Sequence, residues 1–517
     1  MSVEEFLKSL FRTAQRSGDA FRAAGEEFLK SLFRTKPIET YQRESQESGL
    51  RRALGRWALV SLGIGAIIGG GIFTLTGVAA KNYAGPALAV SFVIAGFACL
   101  LAALAYAEFA SIVPVEGSAY AYSYATVGEL IAWFIGWNLI LEYMMGATTV
   151  AVAWSGYFEK LLHLFGIEIP KYLTNDPFTY AKLLSERKEA FFAFNLPGFL
   201  ISWLVTGILL KGIKETASTN NLIVALKVGA VLFVIIAGAF FVNPDNWTPF
   251  IPEPVPDEKG NIHYGWPGIF TAATIVFFAY IGFDAVSTQA GEAINPRRDV
   301  PFAIVASLLI TTLLYIGVSV VLTGMVSYKE LDERAPVASA FSGAGVGWAT
   351  YIITIAATAG LISVMMVMLL GQTRVFLAMA KDGLLPRGLF GYIHPVYKTP
   401  SRSTLLVGAI MSIVAGLVPI ANVSELTSLG TLLAFTLVSL SVFILRIRRP
   451  DLERPYKAPL WPLVSLGGVA VNIFLIAQAR KENLRAFAVW AVIGIVVYFA
   501  YSYRRSVLGR RQEENRS

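Results

Sequence analysis

Residues 62–73 read Leu62-Gly-Ile-Gly-Ala-Ile-Ile-Gly-Gly-Gly-Ile-Phe73. They lie inside an apolar segment, 57–80, long enough to cross a bilayer, and backbone in lipid must satisfy its own hydrogen bonds as a helix. Each glycine inside a helix costs about 1 kcal/mol relative to alanine, so Gly69, Gly70 and Gly71 in succession predict an interruption. An interrupted helix exposes the N–H groups of a half-helix N-terminus, where the dipole attracts an anion such as a carboxylate. Two other readings exist. Gly65-x-x-x-Gly69 fits a helix-packing motif, and a nucleotide loop would need a preceding strand and a different glycine spacing. Packing alone does not require three adjacent glycines, which favours the break.

Working outward, eleven further apolar segments follow: 86–112, 128–158, 196–215, 220–241, 266–290, 301–326, 345–373, 403–420, 424–445, 459–478 and 483–503. The expected fold is an all-α polytopic membrane protein with twelve transmembrane helices. The segment starting at Gly128 is long enough that it must tilt or protrude. Composition agrees: of 517 residues 55% are hydrophobic and 15% charged, against about 25% charged in soluble domains. The formal charge of +8 sits in loops and tails, which argues against a nucleic-acid partner. Cys99 is the single cysteine, and His163, His263 and His394 are far apart, so neither a metal cluster nor a membrane enzyme's nucleophile–base constellation is expected. Residues 1–56 are polar and charged, without the h-region of a cleavable signal.

The basic residues set the orientation. The loops and tails on the side of both termini carry 30 Lys and Arg, and those on the other side 12. The positive-inside bias therefore predicts both termini in the cytoplasm. The expected organisation is a leader (1–56), a first repeat (57–241), an extracellular loop (242–265), a second repeat (266–445), two last helices with their preceding loop (446–503) and a tail (504–517). Within the leader, Glu4-Glu-Phe-Leu-Lys-Ser-Leu-Phe-Arg-Thr13 recurs unchanged at 26–35. Phe6, Leu7, Leu10 and Phe11 form one helical stripe beside Lys8 and Arg12. That stripe fits an interfacial helix on anionic lipid, or a duplicated leader with no part in transport.

A second anomaly lies in the sixth segment, Phe277-Phe-Ala-Tyr-Ile-Gly-Phe-Asp284. Gly282 and Asp284 in an apolar run predict another interruption, with Asp284 accepting freed N–H groups. The first and sixth segments hold corresponding places in the two halves. Interrupted helices at matching positions point to a transporter site near the midplane. Ionisable groups within spans are costly. Lys227 is either a proton-binding group that changes with conformation or a side chain snorkelling to the interface. Glu142 either faces the cavity, favouring cationic substrates, or braces the bundle. Glu108 either faces water at its helix end or is buried.

These residues carry a family resemblance over about 50–505. The matching stretches are Gly63-Ile-Gly-Ala-Ile-Ile-Gly-Gly-Gly-Ile-Phe73, Tyr106-Ala-Glu-Phe-Ala110, Pro114-Val-Glu-Gly-Ser-Ala-Tyr120, Phe278-Ala-Tyr-Ile-Gly-Phe-Asp284, Asn295-Pro-Arg-Arg-Asp-Val-Pro301, Gly371-Gln-Thr-Arg374 and Asp382-Gly-Leu-Leu-Pro386. In this order they resemble the amino acid–polyamine–organocation superfamily, and within it bacterial members of the cationic amino acid transporter family. The resemblance implies a leucine-transporter-like fold, two inverted five-helix repeats plus two C-terminal helices, with helices 1 and 6 interrupted. It places the substrate carboxylate on the N–H groups of Gly69, Gly70 and Gly71. It places the ammonium on carbonyls of Ile67, Phe278, Ala279 and Ile281. Lys227 matches a proton-coupling lysine, and Glu142 matches an acid of the substrate region. Many relatives have Ser or Thr where this chain has Gly70, and two acids where it has Gly291-Glu292. The expected activity is proton-coupled uptake of α-amino acids across the cell membrane, with no cofactor beyond the proton. An exchanger without net proton movement, and an amino acid sensor on the same scaffold, are the rivals.

Overall fold

The protein is described from a computed structural model, for residues 31–41, 54–113, 118–183, 192–211, 217–256, 262–397 and 399–514. Helix α1 (Arg56–Ile67) ends at the glycine run. Helical backbone resumes at Gly71 and continues through Thr76–Ala79 to Ala84. Then follow α2 (Leu88–Ile112), a short α3 (Ser118–Thr126) and α4 (Glu129–Leu164). After them come α5 (Leu196–Lys211), α6 (Ala217–Gly238) and α7 (Gly265–Val276). A 3-10 turn, Phe277–Tyr280, follows α7, and helical backbone resumes at Asp284–Glu292. The remaining long helices are α8 (Pro296–Met325), α9 (Gly347–Lys381), α10 (Ser401–Leu417) and α11 (Ile420–Arg448). The last are α12 (Trp461–Ala477), α13 (Lys481–Val497) and a terminal α14 (Val507–Glu514).

Among the described residues eight helical stretches are long and apolar enough to cross a membrane, and α1, α5, α10 and α12 are shorter apolar helices. Every expected apolar segment overlaps helix among the described residues. The 36 residues of α4 extend about 54 Å, well beyond the hydrocarbon thickness. Leu200, Leu204, Leu405, Ile413, Leu463, Val492 and Val496 are all exposed. These residues lie on α5, α10, α12 and α13, which therefore present apolar side chains outward, as a lipid-facing surface requires.

Helix α4 packs along α9 and α11, α2 along α8, and α1 against α8 and α6. This packing gathers the two interrupted segments at the centre, where residues 63–80 and 272–287 are buried. Residues 31–41 and 503–514 pack together on one face, where the Ser31 and Tyr503 hydroxyls are 2.9 Å apart. Glu108 is 1% exposed, so it does not face water at its helix end. Arg446 binds it through two nitrogens at 2.8 and 2.5 Å, Arg454 lies at 3.4 Å, and the Ala458 N–H donates to it at 2.9 Å. The alternative lost because its cations come from the far end of the chain. Of the resemblance motifs, residues 114–117 lie outside the described residues, as does the first leader copy.

Candidate functional site

The first break is made by backbone. Ile68 leaves the helix at φ −71°, ψ 105° while its N–H still donates to the Ile64 carbonyl. The first bond of the resumed helix runs from the Phe73 N–H to the Gly69 carbonyl at 3.4 Å. Gly69, Gly70 and Gly71 thus occupy the opening turn of a helix, where N–H groups have no intrahelical carbonyl behind them. The second break centres on Ile281, extended at φ −61°, ψ 132°, and Gly282 at φ +123°, a backbone conformation that glycine adopts without steric cost. Asp284 holds this turn, as the sequence predicts. Its Oδ1 accepts the Gly282 N–H at 3.2 Å and its Oδ2 the Tyr143 hydroxyl at 3.0 Å.

The two breaks touch. A Cβ on Gly71 would lie 2.3 Å from the Ala279 Cα, so only a glycine lets the chains approach this closely. Tyr315 of α8 ties them together, its hydroxyl 2.9 Å from both the Ile67 and the Ala279 carbonyl. The Phe278 carbonyl accepts the Ile281 N–H at 3.1 Å. Ile67, Ala279, Phe278 and Ile281 are each at most 3% exposed. Around the glycines stand Val364 of α9 beside Gly69, and Ala153 of α4 with Leu361 of α9 beside Gly70. These side chains close over the glycines.

Lys227 does not snorkel. It is 2% exposed, donates from Nζ to the Gly65 carbonyl at 2.9 Å, and lays its stem against Gly360 of α9. It therefore joins α6 to the last turn of α1, next to the first break. Glu142 is fully buried, and neither of its carboxylate oxygens meets a hydrogen-bond donor among the described residues. The neighbouring Thr431 hydroxyl is turned to the Thr427 carbonyl at 3.1 Å. A buried carboxyl without donors is costly to ionise. On the face opposite the termini, Arg334 pairs with Glu159, and its carbonyl accepts the Thr74 hydroxyl at 3.4 Å.

The structure thus brings Ile67, Gly69, Gly70, Gly71, Phe278, Ala279 and Ile281 into one locus, with Lys227 and Asp284 bracing its edges. Tyr315 and Tyr143 escaped the sequence reading, since a tyrosine in an apolar helix reads as packing. The usable signal was the polar tip, which seeks a partner when buried.

The model for the family described as amino acid permease matches residues 54–501. Among curated relatives, the branched-chain amino acid permease BcaP of Bacillus subtilis is 45% identical over 467 residues, 90% of this chain and 96% of that protein. A methylthioribose transporter of the same organism is 41% identical, covering 92% of this chain and 98% of the relative. A mitochondrial cationic amino acid transporter of Arabidopsis thaliana is 38% identical, covering 90% and 77%.

Proposed function

Because this chain belongs to the amino acid permease family, we propose that it is a secondary transporter carrying α-amino acids into the cell by alternating access, in symport with protons. In this reading twelve helices span the plasma membrane, five plus five in inverted repeats with two more at the C-terminal end, and both termini are cytoplasmic. The observation that carries it is the contact of the two breaks. One offers the N–H groups of Gly69, Gly70 and Gly71, and the other, with the end of α1, offers the carbonyls of Ile67, Phe278, Ala279 and Ile281. A zwitterion satisfies both sets at once, its carboxylate on the positive helix end and its ammonium on the carbonyls.

Tyr315 holds the Ile67 and Ala279 carbonyls in the shut state and gives way to the substrate ammonium when the site is filled. Lys227 is the coupling group. Protonated, its ammonium binds the Gly65 carbonyl and fixes α1 against α6 and α9; on losing its proton it can donate only as a neutral amine, and α1 is released. Binding that differs between the two states is what shifts their balance. The relatives are named for substrates of several kinds, so the side chain is chosen by residues beyond the breaks. Buried Glu142 favours a cationic or small neutral side chain over an acidic one. The experiment is uptake of labelled amino acid into vesicles with an imposed pH gradient and no internal substrate. Proton symport predicts accumulation, and exchange alone leaves the vesicles empty.

A further inference from the structure

The face that carries both termini contains a socket, and the described end of the second leader copy, Ser31–Thr35, fills it. Arg34 is 9% exposed, and its guanidinium forks onto Glu129 at the start of α4, at 2.8 and 2.5 Å. Glu129 also accepts the hydroxyls of Tyr124 at 2.7 Å, Tyr498 at 3.2 Å and Ser506. The Glu129 N–H donates to the Arg34 carbonyl at 3.0 Å. Leu32 is buried, the Phe33 backbone runs over Gly128, and Ser31 meets Tyr503.

Each residue making these contacts has an identical counterpart in the first copy: Ser9, Leu10, Phe11 and Arg12. The contacts unique to the second copy come after Thr35. They are Lys36 to Asp382 at 3.3 Å, and buried Ile38 and Tyr41; the Lys36 N–H, which donates to the Tyr124 carbonyl at 3.0 Å, is a backbone group that Ala14 also carries. The first copy has Ala14, Arg16 and Asp19 at the positions of Lys36, Ile38 and Tyr41.

We propose that this socket is a docking site for the sequence Ser-Leu-Phe-Arg-Thr, and that the first copy, Ser9–Thr13, is its second occupant, exchanging with Ser31–Thr35 in the same chain. Stranding Glu129 without a guanidinium is costly, so the socket opens readily only to another segment that brings one. The roughly 40 residues between Thr13 and Leu54 reach on the order of 130 Å when extended, ample for the exchange. Doubling the closing loop costs about threefold in the docking equilibrium. The exchange keeps Glu129 paired but removes the Lys36 bond to Asp382. That bond restrains the end of α9, the helix whose Leu361 and Val364 flank the glycine break. The second copy is thus a full latch on α9, and the first a lighter one.

The test places a benzophenone-bearing phenylalanine at position 503 of the full chain and maps photo-adducts after cleavage at glutamate, which separates peptide 6–26 from 28–39. With the native leader the adduct falls on 28–39. Arg34→Ala moves it to 6–26, the ratio changing by more than about a hundredfold, and Arg12→Ala with Arg34→Ala abolishes both. A second variant, Lys36→Ala with Ile38→Arg, leaves the Arg34–Glu129 pair intact and shifts the ratio toward 6–26 by at least about tenfold. The proposal is overturned if Arg34→Ala loses the 28–39 adduct without gaining one on 6–26, or if the second variant shifts nothing. An adduct on 6–26 found only in cross-linked dimers also overturns it.

Discussion

Tyr315→Phe removes one hydroxyl and changes nothing else in shape, yet that hydroxyl bridges the two breaks at 2.9 Å on each side. Both carbonyls are buried, and a buried acceptor that loses its donor costs about 1–3 kcal/mol. For a chain longer than 250 residues, 1 kcal/mol moves the midpoint by no more than about 2–4 °C. The empty variant should therefore melt a few degrees below the parent. The ligand-bound forms should differ less. A substrate ammonium supplies donors to the same two carbonyls, and in the parent it must first displace the tyrosine. The variant should thus show a larger rise in melting temperature on adding substrate, equivalent to up to about tenfold tighter binding, or 1.4 kcal/mol. The assay is thermal unfolding of detergent-purified protein, with and without saturating amino acid. A variant that melts lower but gains no more from substrate than the parent would refute the claim that Tyr315 and the ammonium share acceptors.

Gly70→Leu puts a side chain where even a Cβ meets Ala153 Cβ at 3.2 Å, and should cut retention of labelled amino acid by at least about tenfold in an equilibrium binding assay. Unimpaired retention would remove the carboxylate from this helix end. Lys227→Ala should abolish accumulation driven by a pH gradient while leaving substrate binding measurable. Driven uptake at the parental rate would take Lys227 out of the coupling. Glu142→Gln replaces a buried carboxyl with an amide of the same shape, and should lower the preference for lysine or arginine over alanine in competition binding by about tenfold or more. An unchanged ratio would assign Glu142 to the bundle alone.

The breaks were legible because their signals are local. Three adjacent glycines and a Gly–Phe–Asp turn in apolar runs each carry a conformational cost within a few residues. Asp284 was legible too, since the N–H it caps lies two residues away. What escaped depends on distance along the chain. Tyr315 serves a carbonyl 248 residues earlier, and the cations that bury Glu108 follow it by over 330 residues. Glu129 opens α4 as an acid at a helix start, a reading complete without a partner, yet Arg34, far upstream, neutralises it. The leader shows the same limit. Its apolar stripe fits lipid, but the described end of the second copy packs on protein, because Arg34 finds a carboxylate that no pattern of spacing announces.

The central claim is that two helix breaks divide the charges of a zwitterion between them. Thermal stabilisation of the purified protein should be compared for a favoured amino acid, the amine that lacks its carboxylate, and the acid that lacks its ammonium. The account predicts that the amino acid stabilises and that each single-charge analogue loses most of the effect at equal concentration. An amine or an acid that stabilises as well as the complete amino acid would contradict it.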